Sequence, residues 1–153
     1  MASYPQLNEE FKLELDADAP ENSPIIGMVQ VFAEDSAKDP DGWRFTGTLL
    51  AGKLRGRFKL IRIDFEQGVE AAKAKFEAQG SIPAGQWMQA FIAAYPKSDG
   101  NGSVAIPDAS WISPRGLAYY PCVGWKSKPH FSGACRGIGG EDQRFIVAVP
   151  DTE

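Results

Sequence analysis

A chain of 153 residues, 43% apolar and 11% aromatic, is sized for one globular domain that buries roughly two-thirds of the surface its unfolded form exposes. Its net charge of −4 excludes a broadly basic polyanion binder, and sixteen Gly with eleven Pro favour a strand-rich fold over a helical bundle. No apolar run approaches the roughly 18 residues of a membrane helix and no charged-then-apolar leader opens the chain, so a cytoplasmic protein without a membrane partner is expected.

In chain order, residues 1–10 read as a loose acidic arm. Residues 11–16 alternate apolar and polar, which predicts a half-buried strand. A loop at 19–24 leads to a second predicted strand at 25–32, with Val29 and Val31 on one face and Met28 and Phe32 on the other. Residues 34–42 form an acidic loop ending in the turn sequence Asp39-Pro40-Asp41-Gly42. Residues 43–50 alternate again, and Ala51-Gly52 is placed as a hairpin turn into the next strand.

That next strand, 53–65, is the organising stretch. Lys53, Arg55, Arg57 and Lys59 occupy odd positions, with Leu54, Phe58 and Leu60 between them, so the four cations stand in a row on one side. From Ile61 the phase reverses, with Ile61, Ile63 and Phe65 apolar, which predicts a bulge or bend near Leu60. Residues 69–79 are rich in helix formers and Gly80 supplies a stop. A second helix is predicted at 84–95, its apolar face made by Trp87, Met88, Phe91, Ile92 and Tyr95. Residues 96–102 are a loop and 104–106 a short strand. Residues 107–142 are irregular, with one strand at 117–123. A final, almost wholly apolar strand at 144–149 is expected to be central or well covered.

Four strands, one or two helices and then two or three strands predict a single α+β domain over 1–153. A curled antiparallel sheet with helices inserted mid-chain is expected. The order is compatible with an OB-like barrel, whose helix lies between its third and fourth strands. A flatter sheet with helices on one face is the competing arrangement.

Charge is unevenly distributed. Residues 1–42 balance to −8, residues 43–75 to +5 and residues 76–153 to −1. A basic segment in an acidic protein points to local polyanion binding, while the acidic segment reads as a solvated face or an electrostatic competitor. Unpaired nucleic acid needs a cationic track and aromatic platforms. Lys53, Arg55, Arg57 and Lys59 supply the track, with Trp43 and Phe58 as nearby platforms. Arg115, Tyr120, Trp125, Lys126 and Lys128 interleave aromatics and cations a second time, with Trp111 and Tyr119 beside them. Trp87, Phe91 and Tyr95 are assigned to the core.

Other chemistry is weaker. Cys122, His130 and Cys135 do not close a zinc site, and 129–135 matches no nucleophile signature. Asp64 and Glu66, two apart beside Arg62, read as surface ion-pairing groups. Asp99 and Asn101 stand in a loop that lacks the spaced ligands of a calcium site, and 137–140 lacks the Lys and helix of a phosphate loop. The expectation is a non-enzymatic protein without cofactor or metal, binding single-stranded nucleic acid, DNA before RNA. It would act as a homo-oligomer and an accessory factor in replication or transcription. The alternative is a protein-interaction or virion-associated module, and a Cys-His hydrolase ranks last. No family resemblance is close enough to name. Small size, acidity and aromatic content resemble those of many virus- or phage-encoded accessory proteins, with no motif to carry the likeness.

Overall fold

The first predicted alternation folds as read. In the computed structural model, which describes residues 4–34, 38–63, 68–124, 126–134 and 143–149, strand β1 (Phe11–Asp16) buries Phe11, Leu13 and Leu15 and turns Lys12, Glu14 and Asp16 to water. Its partner is strand β3 (Lys53–Ile61), antiparallel, with Phe11 opposite Phe58 and Asp16 opposite Lys53.

Between these strands the sequence reading is corrected twice. Residues 28–32 form a short helix, α1 (Met28–Phe32), instead of a strand. Met28, Val29 and Phe32 are buried while Val31 is exposed, a helical spacing that β-branched composition had concealed. Gly27 lets the helix start against a 3-10 turn (Pro20–Asn22), because a Cβ there would collide with the carbonyl oxygens of Pro20 and Glu21. Residues 43–50 yield only the two-residue strand β2 (Arg44–Phe45), and Leu49 lies exposed. Ala51-Gly52 is no hairpin turn. Strand β2 pairs instead with β5 (Trp111–Ile112), at the other end of the sheet from β3.

Helices α2 (Gly68–Gln79) and α3 (Trp87–Ala94) sit on opposite faces of the sheet, unlike the competing arrangement with helices on one face. One core joins Met88 and Phe91 of α3, and Met28 and Phe32 of α1, to Leu13, Phe58, Leu60 and Trp111. The second joins Ala72 and Phe76 of α2 to Ile61, Ala105, Cys122, Phe145 and Val147. Gly80 ends α2 hard against the sheet, where any Cβ would meet the Ala148 carbonyl oxygen.

Two-sided cover also explains the phase change in β3. The register with β8 (Gln143–Ala148) runs unbroken from Phe58 opposite Ala148 to Ile61 opposite Phe145, so no bulge is present at Leu60. Leu60 and Ile61 are both buried because both faces are roofed there.

Strand β8 is central, as expected. It lies between β3 and β4 (Ser103–Ala105), and its pairing with β4 is parallel. Strands β6 (Ala118–Val123) and β7 (Pro129–Gly133) complete the order β1-β3-β8-β4-β6-β5-β2, with β7 paired to β6. The molecule is therefore a mixed α+β fold with an open eight-stranded sheet, neither purely antiparallel nor closed as a barrel. Helices bury both apolar faces, so the sheet has no need to curl onto itself. Among the described residues no helix is long and apolar enough to cross a membrane.

Candidate functional site

The alternation in β3 does set Lys53, Arg55, Arg57 and Lys59 in a row, and Lys53 and Arg55 are exposed. The row is not bare. Strand β1 places Asp16 opposite Lys53, Glu14 opposite Arg55 and Lys12 opposite Arg57. Arg55 Nε lies 3.1 Å from Glu14 Oε1, and Arg57 Nη1 donates to Glu10 Oε1 at 3.1 Å. The Arg55–Glu14 side chains are 86% and 74% exposed, so the pair is worth at most about 1 kcal/mol. Counting Lys12 with the row, five cations face three acids and leave +2. Part of the acidic N-terminal segment is thus the row's own counter-charge, laid down by strand pairing. Lys12, Lys53 and Lys59 have no ion pair among the described residues.

Beside the row is an open trough of about 560 Å³. Lys12, Glu14, Arg55 and Arg57 line it together with Gly56, Pro83, Trp87 and the end of β8 at Val149. Among the described residues β8 pairs with β3 over 58–61, and Val149 N–H then donates to the Arg57 carbonyl at 2.9 Å. Residues 53–56 therefore have β1 on one edge and, among the described residues, no strand on the other. Trp87, assigned to the core from sequence, packs its ring 4.9 Å from that of Phe58 and also lines the trough. Its helical spacing gave no sign of this second position.

The other residues singled out in the sequence do not converge on this trough. Phe58 and Tyr120 are each 2% exposed and Trp43 is 7% exposed, so none presents an open ring face for a base to stack on. Trp111 is fully buried, its Nε1 donating to the Pro24 carbonyl at 2.7 Å. Trp43 packs 5.3 Å from Phe131 and 5.8 Å from Tyr119, and with Arg115 these line a second cavity of about 340 Å³. Strands β8 and β4 separate β3 from β6, so this aromatic group and the cationic row are distinct places. Lys126 and Lys128 are exposed between β6 and β7. Trp125 lies outside the described residues.

Catalytic groups are not assembled among the described residues. Cys122 is fully buried and desolvation pushes its thiol up to about 12, so at neutral pH it is protonated and unreactive. Burial likewise raises the Tyr120 phenol well above its ordinary value. His130 faces Cys122 across the β6–β7 pair, but its Nδ1 lies 3.3 Å from the Lys128 carbonyl. Cys135, Asp64, Glu66 and residues 137–140 lie outside the described residues. Asp99 turns inward, where Arg144 donates from Nη1 and Nη2 at 2.7 and 2.9 Å. That bidentate bond holds the Asp99 carboxyl below its ordinary range. No cluster of three potential metal ligands occurs among the described residues. No family model matches the chain, and neither the curated proteins nor the solved structures contain a match to it.

Proposed function

We propose that this chain is a non-enzymatic binding protein, and that the trough beside residues 53–57 holds an extended, negatively charged chain. The observation that carries the reading is the coincidence of a cationic row with an open trough lined by Lys12, Arg55 and Arg57 of that row. Single-stranded DNA fits through Lys12, Lys53, Arg55, Arg57 and Lys59. Alternate strand residues stand about 6.6 Å apart, the order of spacing between phosphates in an extended strand. A residual +2 permits few phosphate contacts, and homo-oligomers would lengthen the track. An accessory role in replication or transcription belongs to the same reading.

A gel shift against single-stranded DNA, duplex DNA and RNA at two salt concentrations tests it. Single strands are expected to shift at low salt and to be released at high salt. Arg55→Ala with Arg57→Ala should flatten the salt slope by about 0.7 for each phosphate contact removed. Binding that ignores salt and both substitutions overturns the nucleic-acid reading. A second reading, an acidic polypeptide partner, is favoured by the apolar Phe58 and Trp87 that line the trough beside its cations.

A further inference from the structure

We infer that the outer edge of β1 is a self-association surface, on which a second copy of this chain adds its own β1 antiparallel and makes one sheet continuous across two molecules. This deepens the homo-oligomer part of the proposed reading and stands apart from what the trough binds. Strand β1 ends the sheet order, and among the described residues β3 is its one strand partner. Ala17 N–H donates to the Gly52 carbonyl at 2.8 Å, in register with the β1–β3 pairs, so odd residues of β1 turn their backbone groups to β3. The N–H and C=O groups of Lys12 and Glu14 therefore point away from β3, and among the described residues they make no hydrogen bond. The Asp16 carbonyl has the same phase and is already taken, by Ala19 N–H at 3.2 Å and Asn22 Nδ2 at 2.8 Å. Lys12, Glu14 and Asp16 are exposed, whereas Phe11, Leu13 and Leu15 are buried, with the Phe11 ring 5.9 Å from that of Phe91 in α3.

The charges on this edge select the partner and its register. An uncovered edge strand invites pairing with any extended chain, and natural proteins blunt it with charge. Toward a second copy the charges are complementary instead. With Leu13 opposite the partner's Leu13, Lys12 faces the partner's Glu14 and Glu14 faces the partner's Lys12 about a two-fold axis. Both residues then exchange main-chain bonds across the interface through groups that are open in the single chain. Lys12 also gains an ion pair, having none among the described residues. On the other face Phe11 lies beside the partner's Leu15, continuing the apolar layer. At the ends Glu10 faces the partner's Asp16, each next to a cation of its own β3: Arg57 at 3.1 Å from Glu10, and Lys53 in register with Asp16. Sliding the register to oppose Glu14 with the partner's Glu14 sets like charges together and needs the Asp16 carbonyl, which the loop has taken. Helix α3, which packs on β1, carries no charged residue although Ala93 and Ala94 are exposed, so it adds no charge against a copy of itself. Joined this way, two cationic rows lie on one face, three strand spacings or about 14 Å apart. So short a ladder makes a small interface, and the association is weak and reversible.

The test is sedimentation velocity of the full-length protein without nucleic acid, at concentrations from about 10 μM to about 1 mM. A reversible monomer–dimer equilibrium is expected, with the amides of Lys12 and Glu14 gaining protection from hydrogen exchange as concentration rises. Lys12→Glu and Glu14→Lys should each weaken the dimer by at least about ten-fold, since each opposes like charges across the two-fold axis. Mixed in equal amounts, the two variants should associate again, because every charge then meets its opposite. A monomer at all concentrations overturns the inference and leaves the nucleic-acid reading to the gel shift. A dimer indifferent to both substitutions overturns the β1 edge while leaving homo-oligomerisation. Variants that stay monomeric when mixed overturn the paired register.

Discussion

The two halves of β3 are one strand with two environments. Residues 58–61 are paired to β8 along one edge, met on the other by β1 at Phe58 and by a single bridge from Leu7 to Leu60, and roofed on both faces, by α3 on one side and α2 on the other. Residues 53–57 have one covered face and, among the described residues, a second edge met only at Arg57, by Val149. Within nine residues the strand passes from half-wet ribbon to buried core. The amino-acid pattern records this change faithfully, yet it reads as a bend until the second helix is known to be there. A break in alternation can mark the point where the opposite face becomes covered, with the backbone undisturbed.

The sharpest test of that contrast is truncation in the covered half. Phe76→Ala removes the α2 ring that packs 4.9 Å from Phe145, and urea unfolding should show a loss of about 3–5 kcal/mol. A loss under about 1 kcal/mol would mean that α2 does not roof the sheet. Leu60→Ala should cost about 2–5 kcal/mol by the same measurement.

The two arginine–carboxylate pairs extend the comparison to charge. Arg144 and Asp99 are 6% and 26% exposed, and Arg144 also lies over the Tyr4 ring at 5.5 Å. Asp99→Asn should cost about 3 kcal/mol because it strands a buried guanidinium. The sign of the pH dependence follows. With its carboxyl held low in the folded state, Asp99 contributes stability that is present above the ordinary carboxylate pKa. It is lost as pH falls through the lower folded value. Acid titration of wild type and Asp99→Asn should therefore converge below about pH 4. An undiminished gap at low pH would remove the ion pair as its cause.

Smaller effects come from backbone fit and from the open half. Gly80→Ala should lose about 1–3 kcal/mol, since α2 must back away from Ala148 to admit a methyl group. Glu14→Gln, by contrast, should change stability by no more than about 0.5 kcal/mol, the usual scale for an exposed pair. If the substitution were costly, the Arg55–Glu14 pair would be structural and Arg55 would be held away from a ligand in the trough.

Spacing made β1, α3 and the cationic half of β3 legible, helix-former composition did so for α2, and short apolar runs for β4, β6 and β8. Strand β5 has two residues and β7 is half-buried along its whole length, so neither shows an alternation to detect inside 107–142. Helix α1 was hidden because Val and Ile favour strands locally while its buried face is chosen by tertiary packing. The site was legible in part. Spacing alone placed the row, but its neighbour was not readable, since pairing of β1 with β3 joins segments some forty residues apart with no local signature. Glu14 and Asp16 therefore looked like a separate acidic face. Phe58 and Tyr120 looked available because a ring's burial depends on what folds over it.

Strand β8 sits inside the sheet, between β3 and β4, although it follows every other described strand in chain order. Until residues 143–148 have been synthesised, β3 and β4 each expose an apolar edge that nothing else in the fold completes. Joining Phe58 to Ala148 also closes a loop of ninety residues, a large entropic toll. Nascent chains stalled before that point should be captured by chaperones and cut readily by protease, and they should become resistant only when the sixth residue of β8 has emerged.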